Sequence, residues 1–366
     1  MLMPAPRRLS IFLKTCNERG VDGAIILPGP SMRYLIGFTL EVFERPAFLW
    51  VWQGEVPVLL VPKLDEEKAV NAVGDFLDVK SYGDDEGPWV AAEKLIKNRR
   101  GVIGIEGRMP LWLYRAISRR VELASFTDVD EMISSMRVVK DDDELTCHRE
   151  SVKILQEAMT RTLAELRVGV REKDLMFVFY KNVLDLGGDA PICLIQSGAN
   201  SAKPHMEPTS KSIEADEVIV FDAALSYKGY YSDITRTVVL GKAPDMAVKL
   251  FNIVHEAQAR AIRTAGPGVQ AGAVDDAARS VISAMGFGQY FIHRTGHGLG
   301  LEVHEEPSIN KGNTSPLRPG MVFTIEPGVY LPGKMGARLE DNLIITQSGV
   351  ENTVSLPKTL NKDDFL

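Results

Sequence analysis

At 366 residues, with 45% apolar and 25% charged positions, the chain has the composition of an ordinary soluble globular protein and the length of about two domains. Its 42 lysines and arginines against 49 aspartates and glutamates give a formal charge of −7, a poor match to a nucleic-acid binder. No run approaches the roughly 18 apolar residues of a membrane span, the stretch 9–13 is too short for a secretory core, and Cys16, Cys147 and Cys193 are too few and scattered for a disulfide framework; a reducing cytoplasm is the expected setting, with neither membrane nor nucleic acid as partner.

In the first third, apolar runs at 21–27, 46–52, 56–62 and 101–107 read as strands, and helices are expected near 6–19, 65–72, 88–98 and 110–120. This is the pattern of a small α/β domain, placed at 1–135. No GxGxxG or GxxxxGK[ST] follows any of these strands, so nucleotide-binding fingerprints are missing. Trp50, Trp52, Trp89 and Trp112 all fall here and read as core. The composition changes at 133–143, SSMRVVKDDDE, where the acidic cluster suits the N-terminus of a helix. Leu145, Val152, Leu155, Met159, Leu163 and Leu166 then recur at helical spacing. Cys147 and His148 are adjacent on that helix, point in different directions and read as structural. A second domain of α+β class is placed at 140–366. Its helices, near 143–167, 172–186, 245–265 and 271–285, bracket two strand pairs, 217–225 with 230–240 and 321–330 with 337–346.

Each strand pair carries two carboxylates. Asp222 and Asp233 stand inside the first, where aspartate is disfavoured. A turn centred between Tyr227 and Lys228 sets them directly opposite, with Cβ atoms about 4.5–5.5 Å apart. A turn centred on Gly333 likewise sets Glu326 opposite Glu340. Facing like charges are destabilising, more so in an apolar setting, unless protons or cations offset them. Four carboxylates balance two divalent ions. Three of the six histidines, His293, His297 and His304, cluster within twelve residues. His297 lies between two glycines, an arrangement expected to bring the backbone close to a ligand. An added imidazole moves the preference from Mg²⁺ or Ca²⁺ towards Mn²⁺, Fe²⁺, Co²⁺ or Zn²⁺. The bland alternatives are an ion pair with Arg236 or Arg338 for each carboxylate and an ordinary hydrogen bond for each histidine. Taken together, the set favours a metal site.

The segments SGANSAKPH (197–205), FDAALSYKGYYSDITRT (221–237), HRTGHGLGLEVHE (293–305), TIEPGVY (324–330) and RLEDN (338–342) resemble those of the pita-bread metallopeptidases. The branch is that of Xaa-Pro dipeptidase (prolidase), Xaa-Pro aminopeptidase and creatinase, and the resemblance covers nearly the whole chain. It implies an α+β pita-bread catalytic domain preceded by a smaller α/β domain. It also implies two divalent ions, Mn²⁺ or Co²⁺ with Zn²⁺ as a further option, on Asp222, Asp233, His297, Glu326 and Glu340, the second and last of these bridging. Catalytic roles fall by resemblance to His205, His293, His304, Glu326 and Arg338, with Glu326 as proton shuttle and Thr235, Tyr330 and Asp341 in support. The implied reaction is hydrolysis of the bond before proline by hydroxide held between the metals. The implied partners are proline-containing dipeptides or short peptides and a second copy of the chain. Chain size favours the dipeptidase over the aminopeptidase, and a dipeptidase needs a cation for the free carboxylate, for which Arg338, Lys311 and Arg318 are candidates. Intact ligands argue against a metal-free creatinase and against a ligand-losing interaction module. One departure stands out: Asp222-Ala223-Ala224 replaces the family's usual Asp-x-Gly, so a bend requiring positive φ must be relaxed or absent there.

Overall fold

The computed structural model describes residues 5–41, 44–121 and 123–366, which form two compact units, Met1–Arg137 and Val138–Leu366. In the first, α1 (Ala5–Glu18) leads to β1 (Gly23–Ile26). Next comes α2 (Pro30–Ile36), which starts on a proline and stops at Gly37 with φ 72°. The elements then run β2 (Phe48–Trp52), β3 (Val58–Pro62), α3 (Glu66–Val73), β4 (Asp78–Tyr82) and α4 (Pro88–Ile96). β5 (Gly101–Ile105), α5 (Leu111–Ser118), β6 (Ala124–Asp128) and α6 (Asp130–Arg137) complete the unit. The six strands make one mixed sheet, ordered β4-β3-β2-β1-β5-β6, antiparallel at its centre and parallel towards both edges. Ile25, Phe48, Trp50, Leu60 and Ile103 fill its core. Trp112 departs from the expected core position and is 51% exposed. The edge strands β4 and β6 read DVKSY and ASFTD. Half-solvated strands need no apolar run, so the signal that marks the inner strands is missing from them.

The second unit opens on α7 (Asp142–Ala164), where the acidic cluster forms a capping box. Asp141 accepts from the Asp143 and Glu144 N–H groups, and Glu144 accepts from the Asp141 N–H. α8 (Glu172–Asp185), β7 (Asp189–Ser197), β8 (Val218–Tyr227), β9 (Tyr230–Val239), α9 (Asp245–Thr264) and α10 (Ala271–Ala284) follow. The chain ends in short strands: β10 (Gly296–Gly298), β11 (Glu305–Ile309), β12 (Val322–Ile325), β13 (Gly328–Leu331), β14 (Met335–Arg338), β15 (Asp341–Ile345) and β16 (Val350–Asn352). They form a three-stranded sheet β7-β8-β9, a five-stranded sheet β11-β10-β12-β15-β16 and the ribbon β13-β14. α7 and α8 cover the first sheet through Leu155, Phe179, Phe221 and Ile234. α9 and α10 cover the second through Val254, Ala278, Phe323 and Ile325. Among the described residues no helix is long and apolar enough to cross a membrane.

The two hairpins differ from each other in how they meet the expected register. In β8–β9 the turn is Lys228-Gly229, both at positive φ (50° and 86°), and Tyr227 pairs with Tyr230. A two-residue turn of that hand fits the twist of the strands. It moves the hairpin centre by one residue, so Asp222 faces Thr235 and Asp233 faces Ala224. The two aspartates are therefore diagonal neighbours on one face, not direct partners. The slide is by two positions, which preserves the face. In the second hairpin the expected register is the one found. β12–β15 and β13–β14 share it, and Glu326 stands opposite Glu340 in the break between them. Ala224 lies within β8 without positive φ, so the strand runs on where a bend was in question.

Candidate metal centre

β9 delivers Asp233, the break in the second hairpin delivers Glu326 and Glu340, and β10 delivers His297. The glycines beside His297 are required by neighbouring strands. A Cβ at Gly296 would lie 1.9 Å from the Thr324 carbonyl, and one at Gly298 would lie 2.1 Å from that of Glu306. The His297 N–H donates to Thr324 Oγ1 (3.1 Å), and Nδ1 donates to the Gly298 carbonyl (3.1 Å). Burial first, then the neighbouring His304, push the imidazole down to about 3, so it is neutral and its Nε2 carries a lone pair. That lone pair faces Glu326 Oε1 at 3.4 Å and Asp233 Oδ2 and Glu340 Oε1 at 3.9 Å.

Acceptors thus face acceptors. Asp233 Oδ1 and Glu340 Oε1 are buried with no hydrogen-bond partner. Burial, reinforced by the other carboxylates, holds Asp233 and Glu340 well above the ordinary carboxylate range, and burial pushes Glu326 up to about 7. Asp233, His297 and Glu340 bring ligand atoms within 4.8 Å of one another. A buried donor set of carboxylates and one imidazole, with oxygens left unpaired, fits divalent transition metals. The ion-pair alternative holds for Asp222, bound by Arg338 at 2.6 Å, and for Asp341, bound by Arg236 and Lys358. Among the described residues it holds for none of Asp233, Glu326 and Glu340.

Arg338 organises the surroundings. It donates to Asp222 Oδ2, Thr235 Oγ1 (3.1 Å) and Tyr330 Oη (2.8 Å). Thr235 donates onward to Glu340 Oε2 (2.7 Å). Tyr330 Oη lies 2.9 Å from His293 Nε2, and His293 Nδ1 donates to the Arg294 carbonyl, so the tyrosine donates to the histidine. Burial, helped by the Arg338 charge, lowers His293 to about 4. His304 sets its ring edge-to-face on His297, with centroids 4.1 Å apart. His205 is exposed and outside this hydrogen-bonded network. Lys311 and Arg318 are exposed and not brought into the cluster.

Several contributors carry no sequence signal of their own. Asn342 hydrogen-bonds both the N–H and the carbonyl of Asp233. Arg236, wholly buried, donates to the carbonyls of Thr235, Glu340, Leu356 and Pro357 and fixes the chain on either side of the ligand positions. Asp275 on α10 accepts from the N–H and hydroxyl of Thr295, whose carbonyl accepts from Glu326 N–H (2.7 Å). Arg294 donates to Ser308 (3.2 Å), and among the described residues no carboxylate pairs with it.

Known proteins resemble this chain in sequence and fold. Residues 146–347 match the model of metallopeptidase family M24, and residues 8–139 match that of the creatinase/prolidase N-terminal domain. An Xaa-Pro dipeptidase of Lactobacillus delbrueckii subsp. lactis is 33% identical over 94% of this chain and 95% of its own. The crystal structure of a prolidase from Thermococcus sibiricus superposes with a TM-score of 0.94 at 34% identity, covering 99% of this chain and 100% of that one. An X-Pro aminopeptidase from Thermotoga maritima gives a TM-score of 0.82 at 30% identity over 93% and 97% of the two chains. The chain belongs to metallopeptidase family M24 and is a two-domain peptidase that works with divalent metal ions.

Proposed function

We propose that the chain is an Xaa-Pro dipeptidase using two divalent ions, Mn²⁺ or Co²⁺ ahead of Zn²⁺, with Asp222, Asp233, His297, Glu326 and Glu340 as ligands. The observation that carries this reading is the convergence of the His297 lone pair with three carboxylates, two of which are buried and keep an unpartnered oxygen. The relatives named Xaa-Pro dipeptidase, at 31–33% identity, support the substrate. In this reading residues 1–135 are the N-terminal domain and 140–366 the catalytic one. The working form is a homodimer, and three buried free thiols suit a reducing cytoplasm.

Divalent ions held by these residues would supply Lewis acidity towards a carbonyl and a water of lowered pKa. The protein's residues supply the remainder. The Glu326 carboxyl, 3.4 Å from His297 Nε2, is the group placed to take a proton and give it to the leaving proline nitrogen. His304, kept neutral, offers an N–H to the oxygen of the tetrahedral centre. The Arg338–Tyr330–His293 chain holds Asp222 and the His293 ring in place through its hydrogen bonds. Each Arg338 nitrogen already donates, to Thr235, Tyr330 and Asp222, which leaves Arg294 as the guanidinium suited to a dipeptide's free carboxylate. The test is to chelate the protein, reload it with Mn²⁺, Co²⁺ or Zn²⁺, count bound metal, and assay Xaa-Pro against Xaa-Pro-Yaa. Two equivalents and Xaa-Pro cleavage are expected. Preference for Xaa-Pro-Yaa replaces the dipeptidase by an aminopeptidase, and activity without metal overturns the metal assignment.

A further inference from the structure

A buried ion pair lies beside the site and has no part in the chemistry above. Lys140 Nζ is 2.6 Å from Glu305 Oε1, with the side chains only 2% and 8% exposed. Burying two charges is costly, and a buried pair survives where its geometry is well held. Here both ends are held. The Lys140 N–H donates to the Gly320 carbonyl (2.9 Å), and the next residue caps α7. Glu305 opens β11, where it pairs with Gly298, one residue beyond His297.

Glu305 also directly follows His304. The segment 299–304, which presents His304, has no strand pairing of its own. It is tied at Leu299 N–H to the Val322 carbonyl (3.0 Å) and at the Gly300 carbonyl to Tyr231 N–H (2.8 Å). The Glu305 carboxylate packs directly over Gly300, where a Cβ would lie 2.3 Å from Oε1. The ammonium of Lys140 thus holds a carboxylate against the start of the segment whose end carries the imidazole.

We propose that the Lys140–Glu305 pair is a positioning device for His304, fixing segment 299–304 so that the imidazole stays against His297. The proposal rests on the peptidase reading for its kinetic consequence. Lys140→Met in the metal-loaded enzyme is expected to lower kcat for Xaa-Pro about 10–100-fold, leaving KM and bound metal nearly unchanged. Lys140→Arg is expected to restore most of the loss. In a His304→Ala background the same Lys140→Met change is expected to cost less than about twofold, because the residue it positions is gone. Amide hydrogen exchange across 299–304 is expected to quicken in Lys140→Met, a readout independent of turnover. Glu305→Gln, which keeps the shape, stands in if Lys140→Met does not fold. An equal loss in both backgrounds, loss of metal with the lysine, no rescue by arginine, or unchanged exchange each overturns the proposal. An inactive wild type overturns the peptidase reading instead, and the exchange measurement still decides whether the pair holds the segment.

Discussion

In the first unit the one buried carboxylate among the described residues, Glu106, is satisfied: it accepts from Leu27 N–H (2.6 Å) and from Arg108 Nε (3.1 Å). In the second unit Asp233 and Glu340 are as deeply buried, yet each keeps an oxygen with no partner, and both face a neutral imidazole. The same chain therefore knows how to satisfy a buried carboxylate and does not do so at one place. Unmet polar atoms are costly in a native interior, so where they gather they mark a ligand.

This contrast can be broken experimentally, beginning with the largest effect. Asp233→Asn is expected to remove metal and turnover together, by about a thousandfold in kcat/KM, since several kcal/mol of transition-state stabilisation go with the ion. Metal analysis beside kinetics checks this, and full activity sinks the two-ion assignment. His304→Ala is expected to lower kcat about a hundredfold while metal content stays at the wild-type value; a parallel fall in metal would make His304 a ligand. Arg294→Gln is expected to raise KM for Xaa-Pro about tenfold and to matter less for Xaa-Pro-Yaa, where the carboxylate lies farther away.

A pH experiment sharpens the same contrast. Asp233, Glu326 and Glu340 take up protons more readily when folded than when unfolded, so the folded apo-protein binds more protons. Their contribution to stability is greatest near the unfolded carboxylate range and declines as pH rises through the raised values, about 7 for Glu326. His293, His297 and His304, lowered by burial, act in the opposite sense below the ordinary histidine range, so thermal unfolding of the chelated protein from pH 7 to 9 should show that decline. Reloading with Mn²⁺ should reduce it, and a rise in apo-protein Tm over this window contradicts the raised values. The smallest effect on the site is expected from Leu60→Ala, in the core of the first unit. It is expected to cost about 2–5 kcal/mol of stability with no change in bound metal per folded molecule. A loss of metal would break the separation between the two interiors.

The long elements were legible because apolar periodicity marks them. α7, α9 and α10 lie within a few residues of expectation, and so do the inner strands of the first sheet. β4, β6 and β7 were not, because an edge strand half in water carries little apolar signal. Register was legible only where the turn was. Gly333 centres the second hairpin as expected, whereas Lys228 takes a positive φ that favours glycine or asparagine, and that single residue slides Asp222 away from Asp233. The two glycines around His297 have a packing role that sequence does not show. Sequence marks a close approach but does not say what approaches, and here it is two neighbouring carbonyls.

Sequence by itself determined which groups stand out as candidates for chemistry: four carboxylates within two strand pairs and a cluster of histidines in a chain poor in them. It did so because charged residues placed in apolar strands are local anomalies, visible without knowing what they touch. Tertiary structure alone decided which carboxylates remain unpaired. Arg338 takes Asp222 and Arg236 takes Asp341, while Asp233, Glu326 and Glu340 are left facing His297. It also decided that Arg294 is spare and that Lys140 reaches Glu305 across 165 positions of chain. Ion pairing depends on distances of a few ångströms between residues far apart in sequence, and no local pattern encodes them.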